Sequence, residues 1–133
     1  MVMADRRGPG LGLGLIAALI GVSALNDWVQ VVATVATGNG EPPLLLALHV
    51  LSGALGVAAA VATWRRSRRA PALVLGWGIA VVALLLSIPI AVELDADAVG
   101  GIRTAAIGVA LVALALAWGV RRLLSRAEAR RAD

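Results

Sequence analysis

Four apolar runs, 11–36, 44–64, 72–92 and 102–119, occupy most of a 133-residue chain and constrain it more than any other feature. A helix rises about 1.5 Å per residue, so roughly 20 residues cross a hydrocarbon core. Each run approaches or exceeds that length. A membrane β-barrel instead needs alternating segments of about ten residues. Hydrophobic residues make up 60% of the chain, well above the share in soluble domains. The expected architecture is all-α and integral to a membrane: one domain over 1–133, four transmembrane helices in an up-down-up-down bundle. With the connectors this short, no room remains for a soluble catalytic domain, and the chain is expected not to be an enzyme.

Punctuation between the runs supports four separate helices. The first connector carries Asn39, Gly40, Pro42 and Pro43, which are turn and breaker residues. The second is Arg65, Arg66, Ser67, Arg68 and Arg69, closed by Pro71. The third carries Glu93, Asp95, Asp97, Gly100 and Gly101. Pro89 lies inside the third run, where a membrane helix tolerates a kink.

Charge sets the expected orientation. All twelve basic residues are arginine, and eleven of them lie in the N-terminal segment, the second connector and the tail 120–133. Glu41, Glu93, Asp95 and Asp97 lie in the other two connectors, against Arg103 alone. Positive charge marks cytoplasmic loops, so both termini are expected inside a cytoplasmic membrane, with two acidic loops outside. Arg65, Arg66, Arg68, Arg69, Arg121, Arg122 and Arg126 are expected to meet anionic headgroups. That placement makes lipid, and not nucleic acid, the partner of a chain with pI near 11.5. Trp64 and Trp118 fit the aromatic belt at the same interface.

Arg6-Arg7, the apolar stretch to Leu25 and the small residues Val22-Ser23-Ala24 also read as a secretory signal with a cleavage site. The apolar character resumes from Trp28 to Ala36, which favours a full span. The arginine-only basic set, rich in Ala, Gly, Val and Leu, is the composition of a GC-rich bacterial genome. A faint internal echo relates Pro9–Gly14 to Pro71–Gly76, and Trp64 with Arg65-Arg66 to Trp118 with Arg121-Arg122. Both hairpins point the same way, so a duplication would be parallel rather than inverted.

Asp27 is the one acidic residue in the four runs and His49 the one histidine of the chain. A charged aspartate at mid-membrane costs about 2.5–3.5 kcal/mol on insertion scales and marks a functional hypothesis. Ser23, Asn26, Asp27, Gln30, Thr34 and Thr37 recur at helical spacing on the first run. His49, Ser52, Gly53, Gly56, Ala60 and Thr63 form a matching stripe on the second. Counting rise from each run's midpoint puts Asp27 about 5 Å, His49 about 7–8 Å and Gln30 about 10 Å toward the acidic-loop side. Asn26, Asp27, Gln30, His49 and Ser52 therefore define a candidate polar site opening toward one side only. It is read first as a structural lock between two helices, worth about 0.6–2 kcal/mol per polar contact. A proton or solute site is the alternative.

Other chemistry finds little support. Cysteine is absent, which excludes disulfides and thiolate metal sites. A single histidine is short of the two axial ligands a bundle-bound haem needs, and no cofactor is expected. Asp95-x-Asp97 lacks the ligand at Val99 and the closing glutamate of a calcium loop. Gly10, Gly12 and Gly14 follow no strand, so a nucleotide-binding reading fails on context. Stripes of small residues on the third run (Gly76, Ala80, Ala83, Ser87) and the fourth (Gly101, Ala105, Gly108, Ala115, Gly119) suggest helix contacts. The expected role is a small accessory, assembly or self-associating subunit, alone as a homo-oligomer or within a larger membrane complex. The alternative is a small oligomeric transporter or channel.

Overall fold

A computed structural model of the chain describes residues 9–38 and 40–133. Arg6-Arg7 and the Asn39 half of the first turn signal lie outside the described residues. Four helices follow one another: α1 (Pro9–Thr37), α2 (Pro43–Trp64), α3 (Ala70–Ala91) and α4 (Ala96–Ala132). All four are long and apolar enough to cross a membrane. Each packs on its neighbour in sequence, while α1 and α4 touch far less.

Local chemistry sets the helix ends. α1 stops where Gly38 takes a left-handed conformation, φ 62°, the geometry that commonly terminates helices. Pro43 opens α2, where its missing N–H costs nothing. α2 closes in a Schellman turn. The Ser67 N–H donates to the Ala62 carbonyl at 2.8 Å and that of Arg66 to Thr63 at 3.1 Å. Arg66 occupies the left-handed position, φ 56°, with no glycine to ease it.

α4 differs from expectation at both ends. Asp95 is its N-cap, its carboxylate accepting from the Ala98 N–H at 2.7 Å, and Asp97 adds a favourable charge in the first turn. The capped start draws Gly100 and Gly101 into the helix. At the other end the basic tail is a continuation of the same helix to Ala132 rather than a separate segment. Arginine, leucine, alanine and glutamate are good helix formers and no proline interrupts them. Its 37 residues span about 55 Å, against about 30 Å of hydrocarbon. The arginine-bearing turns therefore project beyond the apolar layer. There Arg68 pairs with Glu128 at 3.2 Å, and the Arg122 guanidinium lies over the Trp118 ring, 4.9 Å from its centre. The seven arginines expected at headgroups are all exposed.

The core gathers near that same end: Leu13, Ile20, Ala59, Ala62, Ala70, Val74, Trp77, Ala117 and Val120. α1 buries Leu13, Ala17, Ile20, Ala24 and Asp27, alternating steps of four and three that keep one face inward. Small residues let α2 approach on both sides. A Cβ at Gly56 would lie 2.7 Å from the Ala24 Cβ and 3.1 Å from Trp77 Cδ1. One at Gly53 would lie 2.9 Å from the Trp28 indole nitrogen. Contacts run from Gly14–Trp64 through Gly21–Ala60 to Gly53–Trp28, so α1 and α2 are antiparallel.

The small-residue stripe expected on α4 is not its packed face. Gly101, Ala105, Gly108 and Ala115 are exposed, while Ala106, Ala113, Ala117 and Val120 are buried. α4 leans on α3, where Gly78 faces Ala113, and the bulkier Val120 closes the end. On α3, Gly76 has nothing within 4 Å. The packed glycine there is Gly78.

Lipid tails are as apolar as leucine, so helix association depends on close van der Waals fit. Gly56→Val is expected to cost about 1–3 kcal/mol by prising α2 from Ala24 and Trp77, read by equilibrium unfolding in detergent. Gly76→Ala is the control, expected within about 0.5 kcal/mol of wild type.

Candidate functional site: a carboxylate–imidazole chain between α1 and α2

Five side chains link into one series through three hydrogen bonds and an ion-pair contact. Ser52 Oγ donates to Asp27 Oδ2 at 2.6 Å. Asp27 Oδ1 faces His49 Nδ1 at 3.1 Å. His49 Nε2 faces Glu41 Oε1 at 3.2 Å. Thr34 Oγ1 donates to Glu41 Oε2 at 3.2 Å. Helical spacing assembles the series: Asp27 and Thr34 lie seven residues apart on one face of α1, His49 and Ser52 three apart on α2. The five-residue connector then folds Glu41 back over the end of the pair.

Burial falls steadily along it. Ser52 is fully covered, the Asp27 side chain is 8% exposed, His49 16% and Glu41 23%. The series therefore opens at the connector end and closes at Ser52. Beyond Ser52 the inward residues of α2 are Gly53, Gly56, Ala59 and Ala62, and those of α1 are Ala24, Ala17 and larger aliphatics. The next buried polar group on α2 is Thr63, eleven residues and about 16 Å further on. Its hydroxyl and the Trp77 indole N–H have no hydrogen-bond partner among the described residues.

Proton counting is informative. A neutral imidazole donates from one ring nitrogen only, yet both nitrogens of His49 face carboxylate oxygens. Satisfying both contacts takes a doubly protonated ring or a proton on one carboxyl group. Neither ring nitrogen keeps a lone pair free for a metal or haem iron. Asp27 and Glu41 lie against different nitrogens of the ring, and among the described residues no three such side chains are placed to hold one metal ion. Ser52 is bonded to the carboxylate and not to the imidazole, so it is not an activated nucleophile of the serine–histidine kind.

Of the five residues expected at the site, Asp27, His49 and Ser52 come together. Asn26 and Gln30 do not: both are exposed on another side of α1 and make no hydrogen bond. A 100° step per residue separates Asn26 from Asp27, and the α2 contact takes Asp27. Glu41 is the member that sequence reasoning missed. Its acidity reads as a connector charge, and only the fold-back of a short turn ending in two prolines brings it onto His49. The chain matches no family model, and no curated protein or solved structure shows significant similarity to it.

Removing the Asp27 carboxyl leaves the buried Ser52 hydroxyl without its partner and takes one of two partners from the part-buried His49. Asp27→Ala is expected to destabilise the protein more than Ser52→Ala, which removes one contact of about 0.6–2 kcal/mol. A double-mutant cycle over Asp27→Ala and His49→Ala, followed by detergent unfolding, is expected to give a positive coupling energy. Strict additivity would mean that the pair does not interact.

Proposed function

We propose that this chain is a small, non-enzymatic, multi-pass subunit of a bacterial cytoplasmic membrane, with an accessory, assembly or self-associating role. Its helices run up-down-up-down, with both termini inside and the two acidic connectors outside. The arginine asymmetry supports the orientation. In that frame the carboxylate–imidazole chain faces out.

The observation that carries the reading is the blind end of that chain. A conduit needs polar groups or a wet cavity across the membrane, yet the series ends at Ser52 above about 16 Å of glycine, alanine and aliphatic side chains. What it does join is α1 to α2 and both to their connector. On this reading Asp27, His49 and Glu41 clasp the first hairpin into a rigid unit that presents its outer faces to partners. Anionic headgroups hold the arginine-bearing end.

A second reading rests on the position of the imidazole. His49 between two carboxylates is a site that an outside proton or cation can reach, as in a small transporter with an outward-opening site. The two readings separate in sealed liposomes carrying a pH gradient. The subunit reading expects no protein-dependent collapse of the gradient, and the same stability loss for Asp27→Asn with or without a gradient. A flux that Asp27→Asn or His49→Ala abolishes would sink it.

Orientation has its own test, made simple because the chain contains no cysteine. Leu94→Cys is expected to react with a membrane-impermeant maleimide added to whole cells. Ser125→Cys is expected to react only after the membrane is opened. The reverse pattern would invert the topology.

A further inference from the structure

Asn26 and Gln30 sit on α1 with nothing to bond to. The midpoint of α1 (Pro9–Thr37) is residue 23, so Asn26 lies about 4–5 Å and Gln30 about 10 Å from the centre of a layer whose half-thickness is about 15 Å. Both are exposed and neither has a hydrogen-bond partner among the described residues. Leaving an amide unpaired in hydrocarbon is unfavourable, and two such groups four residues apart share one helix side.

That side is the open part of the α1–α4 seam. The two helices meet near the arginine-bearing end, where Gly12 faces Leu123 and Gly119 faces Ile16. Eighteen residues make five full turns. Five turns outward from Gly12 comes Gln30, and five turns outward from Leu123 comes Ala105. Both are exposed, so the helices that touch at one end leave the seam uncovered at the other. Gly101, Ala105 and Gly108 line its far wall with nothing larger than a methyl group.

We infer that the outer half of this seam is where a second copy of the chain binds, α1 against α1, through Asn26 and Gln30. This rests on the self-associating form of the function proposed above and names its partner. The amide chemistry selects a second copy. Asparagine and glutamine each carry donor and acceptor, so each can pair with its own counterpart. Copies inserted in one orientation are related by a two-fold axis along the membrane normal. Asn26 then meets Asn26 and Gln30 meets Gln30 at matched depths without further adjustment. A foreign helix would need amides at both depths. The small wall formed by Gly101, Ala105 and Gly108 leaves room for the incoming helix to approach.

The test uses full-length protein in lipid vesicles under mild oxidation. Ala33→Cys lies one heptad beyond Asn26 on the same side, and Ile79→Cys on α3, 70% exposed, is the control. The disulfide-linked dimer is expected to form at position 33 several-fold above position 79. Adding Asn26→Leu and Gln30→Leu is expected to weaken dimerisation about tenfold while leaving hairpin unfolding unchanged, since both side chains are exposed in the single chain. Equal yields at 33 and 79, or a dimer indifferent to both leucines, overturn the inference. So does an efficient intramolecular disulfide in Gln30→Cys/Ala105→Cys monomers, which would mean that α4 closes its own seam. Monomers that co-purify with a different membrane protein overturn the self-pairing and leave the subunit reading standing. An amide-dependent dimer that also dissipates a proton gradient through Asp27 leaves the pairing standing and removes the subunit reading.

Discussion

A carboxylate in hydrocarbon is the constraint on which the rest of this molecule depends. Asp27 is nearly covered, and lipid supplies nothing to solvate it. Its two oxygens must be met by other side chains, and Ser52 and His49 meet them from α2. That requirement fixes which faces of α1 and α2 touch and in what register. The glycines at 53 and 56 follow from it, because the polar contacts form only if the backbones come close enough for Trp28 and Ala24 to pack over bare Cα atoms. His49 in turn leaves its second nitrogen facing the connector, and Glu41 answers it. One buried acid thus recruits a hydroxyl, an imidazole, a second acidic side chain and a turn.

The remaining helices are held by different means. α3 and α4 carry no comparable polar pair and pack through Gly78 against Ala113 and through the aliphatic cluster around Val74 and Val120. Stability is therefore unevenly distributed. The first hairpin is pinned by directional bonds, the second by fit alone, and the two share a core only near the arginine-bearing end. α4 is the least covered of the four.

Much of this could be read from sequence because membrane insertion imposes coarse rules. Run length gives the helices, breaker residues separate them, and the rarity of Asp and His at depth singles out Asp27 and His49. The pairing of His49 and Ser52 with Asp27 follows from spacing. The azimuth of Asn26 and Gln30 was harder, because a stripe of six polar positions on α1 is wider than the face one neighbour can cover. Which part faces α2 depends on packing. Glu41 was hidden for a related reason: a charge in a short turn looks solvated unless the turn's path is known. The stripe on α4 marks no contact within the chain, where Ala106, Ala113 and Ala117 are the residues engaged. The length of α4 was legible in the absence of breakers after Gly119, yet the change from apolar to basic residues looks like an end.

Arg66 has a consequence beyond its turn. It holds a left-handed backbone that glycine adopts freely, at a corner where Arg65, Arg68 and Arg69 already crowd. A chain selected for stability alone would place glycine there. The cost is local and separable from the charge: glycine at this one position would relax the turn that closes α2 and still leave three arginines at the corner.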